Sequence, residues 1–63
     1  MTVYINDKSY SFSGKFIKIH KIIDKLNLKN KNIVILKGGK IIDDRISLKD
    51  GDKIDIVSFI GGG

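Results

Sequence analysis

Apolar residues recur at helical spacing in one stretch of this chain, at Phe16, Ile19, Ile22, Ile23 and Leu26. That spacing places them on a single face of one helix. The other apolar segments are short and β-branched, or alternate polar with apolar as strands do. A lone amphipathic helix cannot close a core by itself and must lie across one face of a sheet. A chain of 63 residues has room for one such core.

The remaining segments supply that sheet. Thr2 to Ile5 is β-rich, Asn6-Asp7-Lys8 is turn chemistry, and Ser9 to Ser13 alternates with period two, so the two runs predict a hairpin ended by Gly14. The helix is predicted from about Lys18 to Asn27, with Lys18, His20, Lys21, Asp24 and Lys25 pointing outward. Asn27 to Asn32 has the polarity of a loop, and Asn tolerates the conformation that ends a helix. Ile33 to Leu36 reads as a central strand, Gly38-Gly39 as a tight turn, and Ile41-Ile42 as a short partner strand. Asp43 to Lys49 has no clean period and is expected to be irregular, and Asp50-Gly51-Asp52 is a further turn. Lys53 to Ile60 is the last strand, with Ile54, Ile56 and Ile60 on one parity and Lys53, Asp55, Val57 and Phe59 on the other. The order predicts an α+β domain over 1–60, a mixed four- to five-stranded sheet with one main helix on one face, the β-grasp arrangement. Residues 61–63 form a bare glycine tail, expected to be flexible.

Residue supply excludes most chemistry. With no cysteine there is no thiolate zinc site, no CxxC redox pair and no persulfide on a side chain. The single histidine, His20, sits among lysines on the polar side of the predicted helix, and a metal site is not expected. Gly38-Gly39-Lys40 is not a phosphate loop, because Val34 and Ile41 stand where that motif needs glycine and a hydroxyl residue. The aspartates at 43, 44, 50 and 52 lack the calcium-loop ligand series and read as turn residues. No nucleophile elbow surrounds any serine. No catalytic residue is assigned, and the chain is not expected to be an enzyme.

The net charge of +5 raises nucleic-acid binding, yet eleven lysines are scattered with one arginine, Arg45. Thirteen isoleucines and four asparagines accompany them, a composition that, apart from the missing Glu and Trp, resembles the output of an AT-rich coding sequence, and the lysines read as solvated surface. Neither nucleic acid nor membrane is expected as a partner. The longest apolar runs, such as Ile33 to Leu36, fall far short of a bilayer span, and no basic-then-apolar leader opens the sequence. A cytoplasmic location follows as the expectation.

The glycines Gly61, Gly62 and Gly63 stand out against that bias, since glycine needs GC-rich codons. A run without side chains can thread a narrow channel and adopt backbone angles closed to other residues. Its terminal carboxylate is then a reactive group on a tether.

The tail, the turn Leu48-Lys49-Asp50-Gly51-Asp52 and the strand Lys53 to Val57 together resemble the ThiS family, the bacterial sulfur carriers of thiamine biosynthesis, which are ubiquitin-like domains ending in Gly-Gly. Where that family usually has Asn-Gly turns, this chain has Asn6-Asp7 and Lys37-Gly38-Gly39. The resemblance implies that a ThiF-like partner uses ATP to adenylate the Gly63 carboxylate. Sulfur from a donor such as a cysteine desulfurase then displaces AMP to give a thiocarboxylate, which passes its sulfur to a ThiG-like thiazole synthase. No cofactor would be bound by the chain itself. If Ile54 and Ile56 face the helix, Val57 and Phe59 lie on the opposite face, forming with Ile60 a docking patch beside the tail, extended by Val34 and Leu36 or by Ile33 and Ile35. MoaD-like carriers of molybdopterin synthesis are the second reading, although they tend to be longer and often carry proline before the tail. A small basic nucleic-acid-binding module, drawing on Tyr4, Tyr10 and Phe12, and a protein modifier joined to lysines are the rivals from other classes.

Overall fold

The computed structural model describes residues 1–28 and 32–58. Strands β1 (Thr2–Ile5) and β2 (Lys8–Ser11) form the predicted antiparallel hairpin, pairing Val3 with Tyr10 and Tyr4 with Ser9. Asn6 and Asp7 make its turn at φ values of 52° and 67°. Both are left-handed, the combination that matches the twist of the flanking strands, and Asn and Asp are the side-chain-bearing residues that tolerate it best.

The next segment departs from the sequence pattern. Phe16–Lys18 is a strand, β3, and the helix α1 spans Ile19–Lys25. Phe16 is 67% exposed instead of lying on the buried helix face. The cause is tertiary: β3 pairs antiparallel with β6 (Ser47–Lys49), setting Phe16 opposite Lys49 and Ile17 opposite Leu48. The stretch expected to be irregular between Asp43 and Lys49 therefore contains a strand of a second, two-stranded sheet. Its pairing also explains where the helix begins. Lys18 provides no side-chain cap, and the first helical N–H groups, of Ile19 and His20, donate to the carbonyls of Ile46 and Asp44. Those donors have no partner within a helix, so the loop before β6 supplies it.

At its other end the helix stops as its sequence implies. Asn27 takes φ 62°, its N–H donates to the Asp24 carbonyl, and the Leu28 N–H reaches back to Ile23. This paired bonding closes the helix with a left-handed residue, and Leu28 turns inward to pack on the core.

Strands β4 (Ile33–Lys37) and β5 (Lys40–Ile42) are joined by Gly38 and Gly39 at φ 59° and 79°, a second left-handed hairpin turn. Strand β7 (Lys53–Ser58) lies antiparallel to β4, from Leu36 opposite Asp55 to Ile33 opposite Ser58, and parallel to β1. The main sheet is five-stranded in the order β2-β1-β7-β4-β5. Residues 59–63, which hold the end of the predicted last strand and the glycine tail, lie outside the described residues, as do residues 29–31 of the predicted loop.

One face of this sheet is dry. Val3, Ile5, Ile35, Ile54 and Ile56 meet Ile19, Ile22 and Ile23 of the helix and Leu48 of β6, all buried. Each buried aliphatic side chain contributes about 1.5–3 kcal/mol. The motif Leu48 to Asp52 locks this core to the edge of β1. Leu48 is fully buried, the Asp50 carboxylate accepts from the Thr2 N–H at 2.7 Å, Gly51 at φ 87° donates to the Thr2 carbonyl, and the Asp52 carboxylate accepts from the Lys49 N–H.

Truncating Leu48 to alanine should cost about 2–5 kcal/mol in denaturant titrations, because a fully enclosed site leaves a cavity; a loss under 1 kcal/mol would show that the second sheet collapses around it. A pH effect arises in the loop that caps the helix. The Asp43 carboxylate accepts from the Arg45 guanidinium and from the Arg45 backbone N–H, and these bonds hold its pKa below 3.8. A depressed carboxylate stabilises the fold above its unfolded value, and that contribution is lost as pH falls through the folded value. Carbon-13 titration of Asp43 should give a midpoint below 3.8, and Asp43→Asn should flatten the acid limb of the stability curve.

Candidate functional site

Strand alternation divides the sheet's two faces. With Ile54 and Ile56 buried against the helix, Lys53, Asp55 and Val57 occupy the other face of β7. Pairing of Ile35 with Ile56 buries Ile35 and puts Val34 and Leu36 on the open side, deciding between the two extensions that the sequence left possible. Val34 stands opposite Val57, Leu36 opposite Asp55, and on the outer strand Ile41 stands opposite Leu36. Tyr4, opposite Lys53, closes the row on β1. No helix covers these residues within the described chain: Val57 is 45% exposed and Ile41 74%.

Charge is distributed unevenly over the open face. Lys53 Nζ lies 3.8 Å from the Asp7 carboxylate, and Lys37 Nζ lies 3.9 Å from Asp52. Both pairs sit at the end where β7 begins, near the two hairpin turns. At the end where β7 finishes, Val34 and Val57 are opposed and the chain continues toward residue 59. An apolar stripe thus leads from β5 across β4 to the exit of β7, and opposed side chains in such a stripe lie about 4.5–5.5 Å apart and act as one surface.

Of the site residues named from sequence, Val57 is placed as expected, exposed on the face away from the helix. Phe59, Ile60, Gly61, Gly62 and Gly63 lie outside the described residues. Ile41 was overlooked as a surface residue and is the most exposed aliphatic of the stripe. A signal for it existed, since the adjacent pair Ile41-Ile42 in a strand must put one side chain on each face.

Among the described residues no group of three His, Cys, Asp or Glu side chains is placed to hold a metal. His20 sits half-buried at the start of α1. A hollow of about 400 Å³ between the end of α1 and strands β4 and β5 is lined by Ile23, Leu28 and Ile42 with Asp43 and Asp44 at its edge. It contains no nucleophile beside a base, so its chemistry is that of an apolar crevice. No described helix is long and apolar enough to cross a membrane.

Comparison with known proteins agrees with the fold. No curated protein sequence matches this chain. A crystal structure of a thiamine biosynthesis protein, ThiS, from Geobacter metallireducens superposes with a TM-score of 0.78 at 22% sequence identity, covering 100% of both chains. At that identity the likeness establishes the β-grasp fold. The sequence model of the ThiS family matches residues 3–63, nearly the whole chain and including all three terminal glycines. The chain therefore belongs to the ThiS family.

Proposed function

We propose that this chain is a sulfur carrier of thiamine biosynthesis whose reactive group is the Gly63 carboxylate. The observation that carries the reading is the extent of the family match, which runs through the glycines to residue 63. A ThiF-like partner condenses the carboxylate with ATP, releasing pyrophosphate and forming an acyl adenylate. This mixed anhydride has AMP as a good leaving group. The persulfide of a donor such as a cysteine desulfurase displaces AMP to give an acyl disulfide. Attack of a second thiol on the partner's sulfur cleaves the S–S bond, leaving a thiocarboxylate at Gly63 and a disulfide on the partner side. A ThiG-like thiazole synthase then consumes the thiocarboxylate. The chain acts in the cytoplasm as a co-substrate, and ATP is handled by the partner. With no cysteine in the sequence, the sulfur at Gly63 is the only thiol-like nucleophile on the carrier.

Recognition falls to the open face. Val57, Ile41, Val34 and Leu36 form an uncovered apolar stripe, and Phe59 and Ile60, which follow in the sequence, are assigned to the same docking patch. The charged pairs at the far end of the face fix the orientation in which a partner can approach, since misplaced charges carry a desolvation cost.

Intact mass should test the chemistry directly. After incubation with a ThiF-like enzyme, ATP and a sulfur donor, the mass should rise by the exchange of one oxygen for sulfur, localised to Gly63. A chain lacking Gly62 and Gly63 should show no gain while melting at the same temperature. An unchanged mass in the full chain would overturn the carrier reading.

For docking, Val57→Thr combined with Ile41→Thr keeps β-branched side chains on exposed positions, so the fold should persist. The KM for the carrier in the activation reaction should rise on the order of 10-fold, as expected when two interface anchors lose apolar contact. A KM unchanged from wild type would place the docking surface elsewhere.

A further inference from the structure

Strand β7 carries the reacting terminus, and its two sides are restrained differently. On one side β4 pairs with it through Ser58. On the other, β1 pairs directly only at Tyr4 with Lys53 and Ile5 with Ile54, then turns away into the Asn6-Asp7 hairpin. The chain continues the seam at that point with a side chain. The backbone N–H of Asn6 donates to the Ile54 carbonyl at 3.1 Å. Its side-chain Nδ2 donates to the Ile56 carbonyl at 3.0 Å, while its Oδ1 accepts from the Ile56 N–H at 2.7 Å. The amide thus replaces a peptide unit and adds one rung to the ladder. Ile56 is the last residue of β7 so gripped by the amino-terminal hairpin, immediately before Val57, Ser58 and the tail.

We propose that Asn6 is a positioning residue for the reaction at Gly63, setting the direction in which β7 launches the tail into a partner's active site. The role rests on the sulfur-carrier reading above. Val57 and Ser58 are the two residues of β7 beyond that grip, so the direction of the strand at Ile56 sets the point from which the remaining chain starts toward the partner. A reacting group misplaced by about 1 Å can lose on the order of 100-fold in rate. Because the apolar stripe that docks the body does not include Asn6, losing the amide should impair delivery of the carboxylate and leave docking intact.

Asn6→Gly isolates the amide, since glycine adopts φ 52° without strain and the hairpin turn survives. Asn6→Asp keeps the acceptor for the Ile56 N–H and removes the donor to its carbonyl. Both would be assayed by ATP–pyrophosphate exchange with a ThiF-like enzyme, at a temperature where circular dichroism shows each variant fully folded. The expected result for Asn6→Gly is a kcat lower on the order of 10-fold with the KM for the carrier within about twofold of wild type. Asn6→Asp should fall between the two. A wild-type kcat in Asn6→Gly, or a rise in KM alone, would overturn the positioning role while leaving the carrier reading in place. Absence of exchange with the wild-type chain would overturn the carrier reading itself, and the positioning role with it.

Discussion

The parallel seam between β1 and β7 holds this domain together. The two hairpins, β1-β2 and β4-β5, are local and close through two-residue left-handed turns, and β7 folds onto β4 across the longer loop before it. Among the described residues only the seam joins the amino-terminal hairpin to the rest of the main sheet, and it spans two direct rungs. Residues some fifty apart in sequence must meet there, as the separation of Asn6 and Ile56 shows. Closing so long a loop is costly in entropy, and the contacts that repay it are few. The Asn6 amide lengthens the seam at one end, and the Asp50-Gly51-Asp52 turn fastens Thr2 and Tyr4 at the other.

Polar turn residues carry an unusual share of this architecture because the core is thin. Among the described residues nine buried side chains form it, all of them aliphatic. Each hydrogen bond from a turn contributes about 0.5–1.5 kcal/mol net, but its larger effect is geometric. The loop from Asp43 to Ile46, shaped by the Asp43–Arg45 contact, presents the carbonyls that receive the first N–H groups of the helix. The two-stranded sheet of β3 and β6 brings that loop into place, so the start of the helix is decided by a distant strand pairing rather than by its own cap.

Among the described residues one helix covers one face of the sheet, and the uncovered face follows from that. Every strand of the main sheet must place alternate residues on both sides, so isoleucine and valine on β4, β5 and β7 appear in the open as well as in the core. Isolated exposed aliphatics are ordinary, but here they align across three adjacent strands and end where β7 leaves the body. The seam that gives the fold its integrity and the stripe that gives it a surface therefore converge on the same strand.

The amino-acid sequence by itself determined the hairpin Thr2–Ser11, the one helix, the paired glycine turn, the Asp-Gly-Asp turn and the parity of β7, because each rests on local chemistry: a period, a left-handed turn residue, an alternation. It also held the terminal glycines and the motif behind the family resemblance. Tertiary structure alone decided the rest. Phe16 fits a helical period as well as a strand, and only pairing with Ser47–Lys49 made Phe16–Lys18 a strand. The choice of Val34 and Leu36 over Ile33 and Ile35 for the open face required the register with β7. Asn6 read as a turn residue, and nothing local announced that its side chain would meet a backbone fifty residues away. Periods and propensities encode contacts within a few residues, whereas register and partner are set by which surfaces the whole chain must bury together.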